Sequence, residues 1–223
     1  MTQTKCFDLS VYLVTDPVMA AASGLVETVA AAVAGGTTLV QLRDKDASTR
    51  DLISVVKALM DLLNPLGIPL IINDRADVAL ATGAAGVHLG QDDMPADIAR
   101  RLMGPGPIIG ISASNADHLA AADPDVVDYV GIGHVFATAT KPKALPPLGI
   151  EGFRDLRERT SLPVVAIGGI DPDTAGPVVA AGADGVAVVS GILRAPDPQA
   201  AATQYALAVA AARFSHSRTG GNR

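Results

Sequence analysis

The sequence has little from which to build disulfides, aromatic stacking or a membrane span. Cys6 is its single cysteine, so no disulfide can form within the chain, and a reduced compartment such as the cytoplasm is expected. Tryptophan is absent and aromatic residues make up 3% of the chain, so the core must consist of Ala, Val, Ile and Leu. No apolar run approaches the roughly 20 residues that cross a bilayer, and the first residues do not resemble a signal peptide. A membrane is therefore not an expected partner.

The charge balance is acidic, with a formal net charge of −6 at pH 7. This value argues against a surface that binds nucleic acid, and it requires that any anionic ligand be held by local positive groups. Hydrophobic residues make up 49% of the 223 residues, and 22 glycines are present. This composition is typical of one compact α/β domain. It leaves the oligomeric state open, including a homo-oligomer.

Short apolar runs rich in β-branched residues alternate with Ala-rich amphipathic stretches. Such runs are typical of parallel strands that are buried on both faces. The predicted strands are Val11–Thr15, Thr38–Leu42, Leu70–Asn73, Gly86–Leu89, Ile108–Ile111, Tyr129–Ile132, Val164–Ile167 and Gly185–Val189. The predicted helices include Leu25–Ala34, Thr49–Leu63, Pro95–Leu102, Asp173–Ala181 and Ala200–Ala212.

Eight evenly spaced strand–helix units favour a closed (β/α)8 TIM barrel over an open, doubly wound sheet. We expect a single barrel domain over residues 1–214. Residues 215–223 have no apolar period, and we expect them to form a disordered C-terminal tail.

Polar residues follow the predicted strands, at the end of the barrel where active sites of this fold lie. Gln41, Arg43 and Lys45 alternate at the end of the second strand, so an extended backbone points them the same way. Arg grips phosphate oxygens with two N–H groups and Lys adds a positive charge. The pattern predicts an anion site, and a solvated surface loop is the alternative.

Two aspartates lie at the ends of neighbouring predicted strands. Asp74 follows the third strand and Asp93 follows the fourth. Two carboxylates at that place can share a hard cation and leave its other positions to water and phosphate oxygens. The alternative is that Asp74, Asp92 and Asp93 cap the helices that begin after them.

The last two strands end in glycine-containing turns, Gly168-Gly169-Ile170 and Val189-Ser190-Gly191. Such a pair is typical of the phosphate site of many (β/α)8 enzymes, and tight strand-to-helix packing is the alternative. The long polar stretch 137–149 is expected to be a lid over a charged substrate. We interpret His88 as a hydrogen-bonded core histidine, and His118 as a surface residue.

Together these strand ends resemble the thiamine-phosphate synthase (thiamine-phosphate pyrophosphorylase) family. The similarity runs from about Tyr12 to about Tyr205. It is carried, in order, by Gln41–Lys45, Ile72–Arg75, His88–Asp93, Gly110–Ser112, Thr138–Lys141, Ile167–Ile170 and Val189–Ser190.

The resemblance implies a transferase with two small-molecule substrates, a pyrimidine diphosphate and a thiazole phosphate, that forms thiamine phosphate and pyrophosphate. It implies Mg²⁺ as cofactor, with Asp74 and Asp93 as its ligands. It also implies that Arg43, Lys45 and Lys141 are catalytic through the charge they place on the leaving pyrophosphate. The residues implied for the pyrimidine diphosphate are Gln41, Arg43, Lys45, Asn73, Ser112 and Lys141. Those implied for the thiazole phosphate are Thr138, Thr140, Gly169, Val189 and Ser190.

One residue departs from the family pattern. His134 follows Gly133, where the synthases usually have proline, and Gly-His-Val-Phe is similar to the related thiazole tautomerases. Those relatives typically lack the metal carboxylates and the glutamine, whereas Asp74, Asp93 and Gln41 are all present here. We therefore favour a synthase. A tautomerase and a non-catalytic phosphate-binding barrel stay as alternatives.

Overall fold

Eight parallel strands close into a barrel in chain order. The computed structural model describes residues 5, 7–20, 24–138 and 146–219, with side chains to residue 215. The strands are β1 Val11–Val14, β2 Leu39–Leu42, β3 Leu70–Asn73, β4 Gly86–Leu89, β5 Ile108–Ala113, β6 Tyr129–Gly133, β7 Val164–Ile167 and β8 Gly185–Val188. Pairing of β1 with β8, with Leu13 opposite Val188, completes the closure.

Helices follow the strands and cover the outside of the barrel. They are α1 Leu25–Ala34, α2 Thr49–Leu63, α3 Ala76–Thr82, α4 Ala96–Met103, α5 Ala116–Ala120, α6 Gly149–Arg157, α7 Pro172–Ala180, α8 Ser190–Leu193 and α9 Pro198–Thr219. A short 3₁₀ turn, Asn64–Leu66, follows α2. Within the described ranges, no helix is long and apolar enough to cross a membrane.

Alternation along the strands divides the core into two parts. Outward-pointing residues such as Val11, Leu13 and Val40 pack against the helices, while inward-pointing residues such as Tyr12 and Leu39 pack with each other inside the barrel. Because successive side chains of a strand point to opposite faces, the inward set also includes polar residues. These are Gln41, Asn73, His88 and Ser112.

The predicted (β/α)8 barrel is confirmed, and three of the eight predicted strands, among them Leu70–Asn73, have the predicted bounds. The largest difference is α9, which continues to Thr219 where the sequence predicts an end at Ala212. The residues after Ala212 have no apolar period, and they continue the helix whose earlier turns the sequence predicts. The domain boundary at residue 214 stays a prediction.

Candidate active site

A cavity of about 440 Å³ opens among the carboxyl ends of the strands. Its lining includes glycines that replace larger side chains on the inner face of the barrel, Gly131 and Gly133 of β6 among them. Ala187 of β8 is also small and points inward. These small residues leave empty the upper layer of the barrel, which otherwise is filled by side chains.

Most of the predicted site residues come together around this cavity. Those that line it are Gln41, Arg43, Lys45, Asn73, Ser112, Thr138, Gly169, Val189 and Ser190. Thr140 and Lys141 lie outside the described residues, as does the central part of the stretch predicted to be a lid, 139–145. The C-terminal end of that stretch is held against the residue that follows β6, since the N–H of Leu148 donates to the carbonyl of His134 over 3.0 Å.

Asp74 and Asp93 are neighbours beside the cavity. Burial raises the pKa of the Asp93 carboxyl, and the adjoining Asp74 carboxyl raises it further. The N–H of Gly90 donates to Asp93 over 2.8 Å, which opposes that rise. Lys45 forms an ion pair with Asp74, with 3.0 Å between Nζ and Oδ2. Two carboxyl groups in hydrogen-bond contact repel each other once both are ionised, so the pair favours either a shared proton or a cation.

The alternative assignment of these aspartates as helix caps is not supported. No side chain caps α3, whose first residue follows Arg75, or α4, whose first residue follows Pro95. Asp74 instead has a left-handed backbone with φ of 63°, a conformation that Asp and Asn tolerate better than most residues. Within the described ranges, no group of three or more His, Cys, Asp or Glu side chains could hold a metal ion.

The glycine turn after β7 is packed against the segment that follows β6. A side chain at Gly168 would overlap His134, and one at Gly169 would overlap the carbonyl of Ala137. Both glycines have positive φ, 101° and 65°. Close packing therefore accounts for both glycines, although the contact is with this segment and not with a helix. It does not exclude anion binding, because the N–H groups of Gly169 and Ser190 donate to no acceptor in the described part of the chain.

Sequence reasoning missed two residues beneath the cavity, Tyr12 and Tyr129, which look like ordinary core aromatics. Gln41 donates to the Tyr12 hydroxyl over 2.7 Å, and the two phenol oxygens lie 2.8 Å apart. His88 is hydrogen-bonded as predicted, to Tyr129 and to Ser112, each over 2.9 Å. Alternation along their own strands, β1 and β6, was the signal that could have placed the tyrosines on the inner face.

Comparisons with known proteins agree with this geometry. A family model described as thiamine monophosphate synthase matches residues 11–192. A thiamine-phosphate synthase of Xanthobacter autotrophicus is 56% identical over 94% of this chain and 99% of its own length. The chain belongs to the thiamine-phosphate synthase family.

Other relatives of the family extend the agreement to the structure. A thiamine-phosphate synthase of Azorhizobium caulinodans is 55% identical over 88% of this chain and 92% of its own. The solved thiamine phosphate pyrophosphorylase of Pyrococcus furiosus is 37% identical, with a TM-score of 0.83, and the match covers 92% of this chain and 96% of that one. The chain is therefore a transferase of thiamine biosynthesis, and its substrates are small molecules.

Two histidines, His134 and His118, line the cavity. His134, the residue that departs from the synthase pattern, lines the cavity beside Gly168. His118, predicted to be a surface residue, lines the cavity as well and is half-buried. Its Nδ1 accepts from the N–H of Ser114 over 3.3 Å and lies 3.2 Å from Ser114 Oγ, so the ring helps to hold the loop after β5.

Proposed function

We propose that this chain joins an aminopyrimidine methyl diphosphate to a thiazole ethyl phosphate, which yields thiamine phosphate and releases pyrophosphate. The observation that carries the proposal is the cavity itself. It brings a cationic, amide-bearing side, with Arg43 and Asn73, together with a second anion site at Gly169 and Ser190. A condensation of two phosphorylated substrates needs two such sites within reach of one another.

The first side suits the diphosphate substrate. Arg43 and Lys45 extend from the end of β2 to the cavity, and in the proposal Lys141 joins them. Gln41, Asn73 and Ser112 point inward from β2, β3 and β5 and supply uncharged hydrogen-bonding groups for a pyrimidine ring. A cationic rim over a neutral polar floor matches a ligand with a charged end and a heteroaromatic end.

The second side suits the thiazole phosphate. The N–H groups of Gly169 and Ser190, which donate to no acceptor among the described residues, belong to the turns after β7 and β8, where (β/α)8 enzymes often bind phosphate. Val189 lines the same place and offers an apolar contact for the thiazole ring. Thr138 lines the neighbouring wall, and we assign it and Thr140 to the same phosphate.

The aspartate pair fits a hard divalent cation. Asp74 and Asp93 place two carboxyl groups in contact, and burial together with this contact raises the pKa of Asp93. Oxygen ligands of this kind are those that Mg²⁺ prefers, with water and diphosphate oxygens in its remaining positions. We propose that these two residues hold Mg²⁺, which when bound supplies positive charge to the diphosphate oxygens.

The chemistry asks little of the protein beyond position and charge. The bond between the methylene carbon and the diphosphate oxygen breaks, both electrons leave with pyrophosphate, and the pyrimidine stabilises the cation that remains. The thiazole nitrogen then donates its lone pair to form the new carbon–nitrogen bond. Arg43, Lys45 and Lys141 stabilise the departing anion, and no step requires a strong base.

A pyrophosphate-release assay tests the function directly. Purified protein with both substrates and Mg²⁺ should release pyrophosphate, and omission of either substrate should reduce release to background. EDTA should abolish turnover, and Mg²⁺ should restore it. Lys141→Ala should lower kcat, because it removes a positive charge from the leaving group. Absence of pyrophosphate release with all components present would refute the proposal.

A tautomerase is the second candidate, because His134 lines the cavity beside the second anion site. A histidine there has the chemistry to move a proton on a thiazole at neutral pH. Thiazole isomerisation without pyrophosphate release would favour this candidate. The cytoplasm as location, and any homo-oligomer, remain proposals that fractionation and light scattering can test.

A further inference from the structure

A continuous chain of hydrogen bonds crosses the floor of the cavity and joins two of the residues that line it. Gln41 Nε2 donates to Tyr12 Oη over 2.7 Å, and Tyr12 Oη lies 2.8 Å from Tyr129 Oη. Tyr129 Oη lies 2.9 Å from His88 Nδ1, and His88 Nε2 lies 2.9 Å from Ser112 Oγ. We call these five side chains the floor relay.

The middle members of the floor relay must all donate in the same direction. A phenol has one proton to donate, and a neutral imidazole carries a proton on only one nitrogen. Within the described residues, the hydroxyls of Tyr12 and Tyr129 have no partners outside the relay. A phenol that accepts from one neighbour therefore donates to the other. The relay runs either from Gln41 to Ser112 or in the reverse direction.

The carboxamide of Gln41 sets this direction. Because its nitrogen donates to Tyr12, Tyr12 donates to Tyr129 and Tyr129 donates to Nδ1 of His88, so His88 carries its proton on Nε2. Burial raises the pKa of both phenols and lowers the pKa of His88 to about 4, so all three are neutral at pH 7.

The two ends of the relay then present opposite groups to the cavity. Ser112 accepts from His88 and keeps its hydroxyl proton for a ligand. Gln41 keeps its carboxamide oxygen, which accepts no hydrogen bond in the described part of the chain. The floor therefore offers an acceptor at Gln41 and a donor at Ser112, and a reversal of the relay would exchange the two.

We infer that Tyr12, Tyr129 and His88 are positioning residues that couple the hydrogen-bonding direction of Gln41 to that of Ser112. The ligand class that fits is an aminopyrimidine, which carries an N–H donor on its exocyclic amine and acceptors in its ring. A pyrimidinone with oxygen in place of that amine lacks the donor. The identity of the ligand rests on the proposed function, whereas the relay itself does not.

The protonated nitrogen of His88 is directly measurable. A long-range ¹H–¹⁵N correlation spectrum of ligand-free, ¹⁵N-labelled protein at pH 7 should show a neutral His88 with its proton on Nε2. Loss of those signals in His88→Gln gives the assignment. Tyr12→Phe should shift the His88 signals, although two hydrogen bonds separate Tyr12 from the ring. Tyr205→Phe is the matched control, since that buried phenol donates to the carbonyl of Ile170 and lies outside the relay.

Reversal of the relay provides the sharper experiment. Gln41→Glu places a carboxylate, which only accepts, next to the Tyr12 hydroxyl. At pH 8 Tyr12 should then donate to that carboxylate, Tyr129 to Tyr12, and His88 to Tyr129, so the proton of His88 should move from Nε2 to Nδ1. A spectrum in which the proton stays on Nε2 would overturn the coupling, as would a Tyr12→Phe spectrum identical to that of the wild type.

Kinetics measure the consequence for recognition. The wild type should prefer the aminopyrimidine diphosphate over its 4-oxo analogue by at least about a hundredfold in kcat/KM, because an unpaired buried acceptor is costly. Tyr129→Phe should reduce this preference to less than about tenfold, with the KM for the thiazole phosphate little changed. Equal preference in the variant and the wild type would refute the role in specificity. Failure of the synthase assay would leave the spectroscopic arm intact, so the two proposals fail separately.

Discussion

At the scale of single residues, the contact between Asp74 and Asp93 makes function and stability oppose each other. Burial and the neighbouring carboxyl raise the pKa of Asp93, so ionisation of this carboxyl in metal-free protein costs more free energy than ionisation of a solvated one. Asp93→Asn removes this charge and keeps an oxygen that can accept from the N–H of Gly90. We expect the variant to be more stable than the wild type in EDTA by about 1 kcal/mol, or roughly 2–4 °C in Tm.

Addition of Mg²⁺ should make the wild type more stable than Asp93→Asn. The wild type gains stability from binding, whereas the variant lacks one ligand and gains little. Thermal unfolding with EDTA and with millimolar Mg²⁺ measures both effects. Asp92→Asn is the control, since it removes the same charge from an exposed neighbour. A Tm for Asp93→Asn that is unchanged in EDTA and that rises with Mg²⁺ as in the wild type would contradict the assignment.

The sequence around His134 is similar to that of tautomerases, in which a proton is transferred, whereas the proposed condensation has no such step. The condensation has no step that demands a proton shuttle, so we expect a positioning role. His134→Asn should keep at least about a tenth of synthase activity, a loss of no more than roughly 1.4 kcal/mol in barrier. His134→Pro, the usual residue of the family, should behave similarly. A thousandfold loss in kcat for the asparagine variant would instead indicate proton transfer.

The site residues that the sequence predicts differ from those it misses in the sequence pattern that surrounds them. Arg43, Lys45 and Asn73 are polar and follow apolar runs, so their place at the cavity was predictable from the barrel rule. Tyr12 and Tyr129 lie inside apolar strands, where a tyrosine reads as core. Their hydroxyl partners come from other strands, and only the closed barrel brings those strands together.

At the scale of secondary-structure elements, β5 has a glycine, Gly110, at the place where the Tyr129 side chain of β6 crosses it. Gly110 pairs with His88 on one side and with Tyr129 on the other. A side chain at Gly110 would overlap the Tyr129 ring. The absence of a side chain on β5 therefore allows the phenol of β6 to reach the imidazole of β4, over 2.9 Å.

Gly110→Ala should consequently displace Tyr129 and break its hydrogen bonds. We expect a loss of about 1–3 kcal/mol in unfolding free energy and a higher KM for the pyrimidine diphosphate. Denaturant unfolding and steady-state kinetics measure these. Gly106→Ala is the control, because that glycine has open space around it. Tyr129→Leu combined with Gly110→Ala should cost less than the sum of the two, and strict additivity would show that the clash lies elsewhere.

Element boundaries also show what periodicity can and cannot predict. The bounds of α1 and α2 follow from a clear apolar pattern and were predicted correctly. β5 extends two residues past its predicted end, to Ala113, because its pairing with β6 continues there, with Ser112 opposite Gly131. Register of this kind depends on the partner strand, so a local pattern cannot supply it.

At the scale of the whole molecule, the two ends of the barrel have separate tasks. The carboxyl ends of the strands hold the cavity. At the amino ends, Asp128 forms ion pairs with two cationic side chains. One of its oxygens lies 2.7 Å from Lys5 Nζ, from Arg100 Nη2 and from the N–H of Ile109. Arg100 also donates to the carbonyl of Val126 over 2.8 Å. Asp128 thus connects a residue before β1, the helix α4 and the start of β5.

Asp128→Ala should therefore affect stability and spare catalysis. Lys5 and Arg100 side chains are 17% and 16% exposed, so loss of their shared partner leaves two partly buried cations uncompensated. We expect a loss of about 3 kcal/mol, or roughly 6–12 °C in Tm, with kcat/KM at 25 °C within about twofold of the wild type. Ser112→Ala at the cavity should show the opposite pattern, with reduced kcat/KM and nearly unchanged Tm. If Asp128→Ala reduced kcat/KM as strongly as Ser112→Ala while the protein remained folded, the two ends of the barrel would be energetically coupled. The division between a stabilising end and a catalytic end would then be wrong for this protein.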